Sequence, residues 1–216
     1  MTDSQSLSVS RRKPGGRNRR RELVVAARKL FVERGYRETS VSAIVQEAGV
    51  AQGTFYLYFK KKPDVLVNLR GEVLRDYIDC FKQGVGGPGP ADARLVTGIR
   101  QIYAAVDRHR DLLRIFREAS TSDELARLWI EGREMVGEPV TQLIEDGLAD
   151  GSFRVESPRM AGLLSLALFD DLLFEAQEYA HPAPGPETLA HATRYLLRAL
   201  GAPPERVEAL VSMEEF

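Results

Sequence analysis

Apolar residues recur at intervals of three and four along most of this chain of 216 residues, which is the spacing of amphipathic α-helices. Glycine and proline interrupt the pattern, and no segment shows the strict alternation that predicts a β-strand. The predicted helices cover residues 18–34, 41–48, 52–59, 63–83, 92–109, 111–120, 123–149, 158–179 and 187–200. The predicted fold class is therefore all-α.

Two breaks in the helical pattern carry specific expectations. Residues 84–90 read GVGGPGP, which predicts a loop because neither glycine nor proline supports a helix interior. Pro139 lies inside the long segment 123–149 and predicts a kink or a break there, since it lacks the backbone N–H that a helix uses.

The first three predicted helices are short and close together. Thr39 or Ser40 can cap the second helix, and Gly49 lies in the tight turn before the third. Such an arrangement is typical of a helix-turn-helix unit. The predicted organisation is a disordered basic tail over residues 1–16, a helix-turn-helix domain over residues 17–62 and a larger helical domain over residues 63–216.

The formal charge is divided between the two ends of the chain. Residues 1–62 hold 14 Lys and Arg against 5 Asp and Glu, whereas residues 63–216 hold 16 against 26. A basic end on an acidic body indicates a polyanionic partner that only one end contacts. The alternative is a basic arm with no specific partner. The basic residues nearest the N-terminus are Arg11, Arg12, Lys13, Arg17, Arg19, Arg20 and Arg21.

Several functional classes are disfavoured by composition. One cysteine, Cys80, argues against a disulfide framework and a cysteine zinc site, and three scattered histidines argue against a histidine-rich metal motif. We expect no cofactor. No apolar run is long enough to cross a membrane, and the arginine-rich N-terminus lacks the apolar region of a secretory signal. We therefore expect a cytoplasmic protein. Nucleophile-elbow and phosphate-loop motifs are absent from the sequence, so we also expect a non-enzymatic protein.

The segment from Ala161 to Phe174 is apolar on nearly every side. A helix of this kind must be covered on all sides, and residues 63–216 offer few helices to cover it. We therefore expect the helices at 158–179 and 187–200 to pair with their copies in a homodimer. The alternative is a fully buried central helix in a monomer.

Residues 35–66, GYRETSVSAIVQEAGVAQGTFYLYFKKKPDVL, resemble the DNA-binding signature of the TetR family of bacterial transcriptional regulators. The matching positions are Phe31, Gly35-Tyr36, Thr39-Ser40-Val41, Ile44, Ala48-Gly49-Val50, Gly53, Phe55-Tyr56, Tyr58-Phe59, Lys62 and Leu66. The chain departs from the family at Ala51, where Ser or Thr is common and where alanine cannot cap the third helix.

The third helix is the predicted recognition helix. Gln52, Gly53 and Thr54 form its leading end, where an amide, a bare backbone and a methyl group can approach base edges. The predicted phosphate contacts are Thr39, Ser40, Ser42, Tyr56, Tyr58 and Lys62. Other roles stay open at this stage: a helix cap for Thr39 or Ser40, core packing for Tyr56, and a solvated charge run for Lys60 and Lys61.

The resemblance implies that residues 63–216 form a dimeric domain with an effector pocket. The candidate lining residues, which are large or charged, are Tyr77, Phe81, Arg100, Tyr103, Phe116, Trp129, Arg133, Phe169 and Asp170. The alternative is that the aromatic residues only fill the core. His109, between Arg108 and Arg110, is expected at the surface.

The predicted function is a ligand-responsive regulator, a repressor that a small hydrophobic effector releases from a palindromic operator in double-stranded DNA. Arg100 and Arg133 suit an effector with an anionic head, such as a fatty acyl-CoA, whereas Asp170 and Asp171 suit a hydrophobic cation. The alternative function is a DNA-binding dimer without an effector, acting constitutively or as an architectural protein.

Overall fold

The computed structural model describes the backbone of residues 15–119, 123–170 and 185–211, and the side chains of residues 18–112, 115–116, 134–169 and 185–211. All regular structure in these residues is helical, which confirms the all-α class. The helices are α1 (Gly15–Arg34), α2 (Val41–Glu47), α3 (Gln52–Tyr56), α4 (Lys62–Val85), α5 (Ala91–Arg108), α6 (Arg110–Ala119), α7 (Asp123–Asp150), α8 (Pro158–Asp170), α9 (Pro186–Ala199) and α10 (Pro204–Leu210).

The described residues divide into two compact units, residues 1–68 and residues 69–216. The division falls inside α4, whereas the sequence places a domain boundary at residue 62, where α4 begins. In the first unit α1, α2 and α3 pack together around Leu30, Phe31, Ile44 and Phe55, all of which are fully buried. In the second unit α7 packs on α5 and α8, and α9 packs on α5 and α10.

Three predicted helices differ from the structure by two or three residues at one end: α1 at its start, and α3 and α4 at their C-terminal ends. Helix α1 begins at Gly15, so the last two residues of the predicted disordered tail are helical, while residues 1–14 lie outside the described part. Helix α3 ends at Tyr56 and not at Phe59. The backbone N–H groups of Tyr58 and Phe59 both donate to the Phe55 carbonyl, at 3.0 and 2.9 Å, which closes the helix with a tight turn.

Helix α4 continues into the predicted loop at residues 84–90 and ends at Val85. Gly84 is accommodated because α4 and α5 approach closely there: a Cβ on Gly84 would lie 2.5 Å from the Cα of Gly98. Close packing between helices therefore overrides the low helix propensity of this glycine.

Helix α7 runs without a break through Pro139, so the break allowed by the sequence does not occur. Helix α10, near the C-terminus, is not among the predicted helices. Pro203 is its N-cap and Pro204 its first residue, and a proline at the first helical position followed by Glu205 is the signal that could have found it. The second half of the predicted helix 158–179 lies beyond Asp170, outside the described residues.

Candidate nucleic-acid interface

The turn between α2 and α3 is built from local hydrogen bonds. Ser40 is the N-cap of α2, and its hydroxyl oxygen accepts the N–H of Ala43 at 3.1 Å. Gly49 adopts a φ of 63°, a left-handed conformation that favours glycine, and Val50 then donates to the Val45 carbonyl at 3.0 Å. These bonds turn the chain sharply from α2 into α3.

Helix α3 presents its leading end to solvent and is anchored by two aromatic rings. Gln52 and Gly53 are exposed and Thr54 is half-buried. Phe55 is fully buried, and its ring centroid lies 5.6 Å from that of Phe59. The polar end of α3 is therefore held in a fixed position over an apolar base, as a helix that enters a major groove requires.

Gly53 leaves the surface of α3 open. A Cβ built on this residue has no heavy atom within 4 Å, so the glycine is not required by packing inside the unit. Its backbone can approach another molecule more closely than that of any other residue type. Ala51, the N-cap of α3, provides no side-chain cap, as the sequence indicated.

Leu57 is an exposed apolar residue beside α3 that is not among the predicted site residues. Leu57 follows α3 and is 78% exposed, next to Tyr56, which is 54% exposed, while Tyr58 is half-buried. The buried residues Phe55 and Phe59 are four apart, and so are the exposed residues Gly53 and Leu57. Helical spacing therefore contained the signal that places Leu57 on the outer face.

Thr39 does not present its side chain to a partner. It is only 1% exposed, and its hydroxyl donates inward to the Gly35 carbonyl at 2.8 Å, with the Leu30 carbonyl 3.3 Å away. The predicted phosphate contact through this hydroxyl is not available while the group completes the turn between α1 and α2. Ser40 and Ser42 are exposed and remain available.

Lys62 also has an internal role. Its ammonium group donates to the carbonyls of Tyr36 at 2.7 Å, Thr39 at 2.8 Å and Arg37 at 3.3 Å, and it lies 4.4 Å from the centroid of the Tyr36 ring. Partial burial lowers the pKa of Lys62, opposed by the charge of Glu38. An ammonium group has three protons, so the predicted phosphate contact is not available while these bonds persist.

The aromatic residues expected to line a pocket lie in or near the core of the second unit. Tyr77, Phe81 and Phe116 are buried, and Tyr103 and Phe169 are half-buried. Phe81 belongs to the main apolar cluster, and Phe169 packs against it. The side chains of Trp129, Arg133, Asp170 and Asp171 lie outside the described residues.

Arg100 is engaged by the C-terminal helix. Its guanidinium donates to the Leu210 carbonyl at 3.0 Å, as Arg194 does to the Val211 carbonyl at 2.7 Å. These bonds satisfy carbonyls at the end of α10, where no helical partner follows. The anionic-head interaction predicted for Arg100 therefore competes with an existing bond.

The surface position expected for His109 is wrong. Its side chain is largely buried and faces Asp76 of α4. Its Nε2 lies 3.0 Å from Asp76 Oδ2, and Arg108 donates to the same carboxylate at 3.0 Å. Burial opposes ionisation of Asp76, but the hydrogen bonds from His109 and Arg108 outweigh it and lower the pKa of the carboxyl. The cluster therefore ties the end of α5 to α4.

One face of α8 has no cover within the described chain. Met160, Leu163 and Leu164 are spaced three and four residues apart, and each is more than half exposed. On α9 the expected pairing stripe mostly faces the chain's own core: Leu189, Ala192, Leu196 and Leu200 are buried, and only Tyr195 and Ala199 are exposed. Of the residues expected to pair across a dimer on α9, only Tyr195 and Ala199 are therefore accessible to a partner.

No helix among the described residues is long and apolar enough to cross a membrane. Within the same residues, no group of three or more His, Cys, Asp or Glu side chains could hold a metal ion.

Comparison with known proteins gives two family matches on this chain. Residues 23–69 match the family described as bacterial regulatory proteins, tetR family, and residues 88–172 match the tetracyclin repressor-like C-terminal domain. The HTH-type transcriptional repressor KstR2 of Rhodococcus jostii (strain RHA1) is 30% identical over 148 residues, which cover 65% of this chain and 70% of that protein. The chain belongs to the TetR family.

Two further matches agree with this assignment. The fatty acid metabolism regulator protein of Bacillus subtilis (strain 168) is 30% identical over 117 residues, 54% of this chain and 58% of that protein. The crystal structure of a TetR/AcrR-family regulator from Thermobifida fusca has a TM-score of 0.67 at 24% identity, over 83% of this chain and 97% of that one. As a TetR-family member, the chain is a DNA-binding transcriptional regulator.

Proposed function

We propose that this TetR-family regulator is a homodimeric repressor that binds a palindromic DNA operator and is released by a small hydrophobic effector. The observation that carries the proposal is the outer face of α3. Gln52, Gly53 and Thr54 lie at its leading end, and the buried rings of Phe55 and Phe59 anchor the opposite side of the helix in the core.

The first step is recognition of bases by α3. A Gln amide can pair with adenine, and the methyl groups of Thr54 and Leu57 can contact the methyl of thymine. Gly53 allows the backbone to approach the floor of the groove. The exposed hydroxyls of Ser40, Ser42 and Tyr56, together with that of the half-buried Tyr58, supply phosphate contacts that position the unit. Ser40 retains its own proton for a phosphate because its oxygen serves as the acceptor for Ala43.

The second step is dimerisation, which places two copies of α3 in successive major grooves, about 34–36 Å apart. The uncovered row Met160, Leu163 and Leu164 supports it, because an apolar stripe of this kind on a helix needs a partner surface. Tyr195, which is exposed on α9, is the proposed contribution of the second helix to this interface.

The third step is effector binding in the second unit. A fatty acyl-CoA is the proposed effector class, and the similarity to a regulator named for fatty acid metabolism supports it. The proposed lining residues in the described part are Tyr77, Phe81, Arg100, Tyr103 and Phe116, with Phe169 on α8. The side chains of the other three, Trp129, Arg133 and Asp170, are not described.

Two buried polar atoms, one of them an acceptor, also favour an effector that carries hydrogen-bond donors. Gln101 Oε1 and His109 Nδ1 are buried without a hydrogen-bond partner among the described residues. The amide oxygen of Gln101 can only accept a hydrogen bond, whereas the role of His109 Nδ1 depends on the tautomer of the ring. The amide N–H groups of an acyl-CoA meet this requirement as well as hydroxyl groups do.

Coupling between the two sites is assigned to α4. The helix runs unbroken from Lys62 to Val85 and contributes residues to both units. Lys62 holds its first turn to the α1–α2 turn, and Asp76 holds its middle to the end of α5. An effector with unequal affinity for two positions of α4 would shift DNA binding by that difference.

A constitutive DNA-binding dimer is the second candidate. The participation of Phe81 and Phe169 in the apolar core favours it, because aromatic side chains that fill a core do not line a cavity. The distinguishing test uses Trp129, the single tryptophan of the chain. Hexadecanoyl-CoA should change its fluorescence and release a bound duplex at micromolar concentration. Tight DNA binding that neither this thioester nor a set of donor-bearing apolar compounds affects would favour the constitutive dimer.

A further inference from the structure

The aromatic residues proposed to line the effector pocket are closed off from solvent. Tyr77 and Phe81 on α4 and Phe116 on α6 are each no more than 6% exposed. A small molecule cannot reach side chains buried to this extent unless part of the surrounding helical shell moves. Entry of the proposed effector therefore requires a helix that can bend while the core of the second unit stays intact.

Burial along α7 changes abruptly at Val140. None of residues 134–139, the described side chains that precede this point in the helix, is buried. From Val140 onward the inward face of α7 belongs to the main apolar cluster, which includes Leu143 and Ile144. Within the described part of α7, the core therefore holds the second half of the helix, residues 140–150, more firmly than the residues before it.

Polar bonds tie the same half of α7 to the start of α5. Asp146 Oδ2 accepts from the guanidinium of Arg94 at 2.9 Å. Asp150 Oδ2 accepts the backbone N–H of Ala91 at 2.9 Å, a bond that Pro90, the N-cap of α5, cannot supply from its own side chain. The second half of α7 is thereby held to a neighbouring helix at two positions, so a movement of α7 has to begin before this half.

The backbone of α7 is weakened at the point where burial changes. Pro139 lacks the N–H that would bond to the Met135 carbonyl, so the helix passes through this turn with one hydrogen bond fewer. Thr141 donates its hydroxyl back to the Gly137 carbonyl at 2.9 Å, a type of bond that accompanies helix bending. Bends in helices occur at prolines and where side chains enter the backbone hydrogen-bond ladder. Residues 137–141 are therefore the place where α7 can bend.

Gly137 adds to this weakness without serving the packing of the core. A Cβ built on it has no heavy atom within 4 Å. By contrast, a Cβ on Gly147 would overlap the Phe153 ring, and one on Gly162 of α8 would lie 3.1 Å from the Thr141 hydroxyl oxygen. Glycine is unfavourable inside a helix because it loses more backbone freedom on folding than other residues do. Close packing therefore explains the other two glycines, whereas at Gly137 the structure shows no steric reason for one.

We propose that residues 137–139 form a hinge in α7, and that the first half of the helix, residues 123–136, moves about this hinge to admit the effector and to release it. This inference rests on the proposed effector binding. The first half of α7 carries Trp129 and Arg133, two of the residues proposed to line the pocket. The hinge joins this half to one that the core and α5 hold in place, so the pocket opens without disruption of the core.

The hinge is tested first without any effector, by hydrogen exchange of the full chain followed by mass spectrometry. Alanine is favoured over proline at an interior helical position by about a hundredfold in equilibrium constant. Pro139→Ala should therefore slow exchange of the amides in residues 123–136 by at least about tenfold. Exchange in residues 143–150 should not change, because the core already holds them.

A second variant keeps the test open if loss of the proline ring harms folding. Gly137→Ala places its methyl group where no atom lies nearby, and it should slow exchange of residues 123–136 by about fourfold. Glu138→Ala, at the exposed position between the two, is the matched control. It should change the same exchange by less than about twofold, because glutamate and alanine differ little in helix propensity.

The role of the hinge in effector entry is tested by stopped-flow fluorescence of Trp129, with hexadecanoyl-CoA as the probe. Entry and exit both require the open form, so a smaller open population slows both steps equally. Pro139→Ala should lower the association and dissociation rate constants by at least about tenfold each, while Kd changes by less than about twofold. Damage to the pocket would instead raise the dissociation rate constant and raise Kd, which would contradict the inference.

Exchange of residues 123–136 that neither Pro139→Ala nor Gly137→Ala slows would overturn the hinge and leave the proposed function in place. Slower exchange together with unaltered rate constants for hexadecanoyl-CoA would overturn its role in entry. An unaltered chain that binds neither this thioester nor donor-bearing apolar compounds would overturn the proposed effector and the entry role with it, and the hydrogen exchange would still decide whether the hinge exists.

Discussion

The leading end of α3 and the second unit use their polar residues in different ways. In the first unit, Gln52, Gly53 and Thr54 are not engaged by the core and lie at the surface of α3. In the second unit, arginines form long-range internal bonds: Arg100 with the Leu210 carbonyl, and Arg206 with the buried carboxylate of Asp92 at 2.7 Å. A polar residue therefore indicates a binding site only where no contact within the fold already engages it.

The largest expected effect is on the second unit, from Gly147→Ala. The new Cβ would overlap the ring of Phe153, which is almost fully buried. Overpacking of this kind costs about 1–3 kcal/mol, and the melting temperature should fall by several degrees. Thermal denaturation followed by circular dichroism checks the result. An unchanged melting temperature would show that Phe153 moves aside at no cost.

The same substitution in the first unit, Gly53→Ala, should have the opposite result and serves as the matched control. No atom lies near the new Cβ, and alanine is about 0.5–1 kcal/mol better than glycine within a helix. The melting temperature should therefore be unchanged or slightly higher. Binding to a selected duplex should weaken about tenfold, equivalent to about 1.4 kcal/mol, because the methyl group blocks the approach of the backbone. Full affinity in this variant would contradict the assigned role of α3.

Lys62→Met tests whether a residue expected at the DNA is structural. The three carbonyls of the α1–α2 turn would lose their donor, and hydrogen bonds to charged groups contribute about 1.5–3 kcal/mol when buried. Because Lys62 is only partly buried, we expect a loss of about 1–2 kcal/mol. Lys60→Gln, which removes an exposed charge nearby, should not change the melting temperature. A normal melting temperature for Lys62→Met, together with a weaker dependence of DNA affinity on salt concentration, would indicate that Lys62 contacts a phosphate instead.

The smallest expected effect concerns Asp76, which joins α4 to the end of α5. Its carboxyl has a pKa below its ordinary value, so its ionised form stabilises the fold above the pKa of the unfolded chain. Asp76→Asn should lower stability at pH 7 by less than about 1 kcal/mol, since the pair is partly exposed. The difference should shrink below about pH 4 and vanish below the folded pKa. A difference that grows on acidification would contradict the assigned ion pair.

Much of the first unit was predictable because its structure depends on short-range patterns. The stripe from Leu23 to Phe31, the cap at Ser40 and the turn at Gly49 are all local, and the structure has each of them. The roles of Thr39 and Lys62 were not predictable in the same way. Thr39 turns its hydroxyl inward to carbonyls four and nine residues back, which its pattern as a cap does not indicate, and Lys62 bonds to carbonyls 23 to 26 residues away.

The second unit was predictable only as a set of helices. Helical periods predicted α5, α7 and α9 to within one residue at each end. They could not show that Arg100 would bind a carbonyl 110 residues later or that His109 would turn inward to Asp76. Such contacts depend on how helices pack, which the period of a single helix does not contain.

The most direct test of the DNA-binding role is selection of duplexes from a random pool by the full chain, followed by titration of the enriched duplex and of a random one. We expect enrichment of a palindrome whose half-sites are centred about one helical turn apart, bound at least about a thousandfold more tightly than random DNA at physiological salt. Gly53→Ala should reduce that ratio. Failure to enrich any sequence, or equal affinity for both duplexes, would contradict sequence-specific DNA binding by this chain.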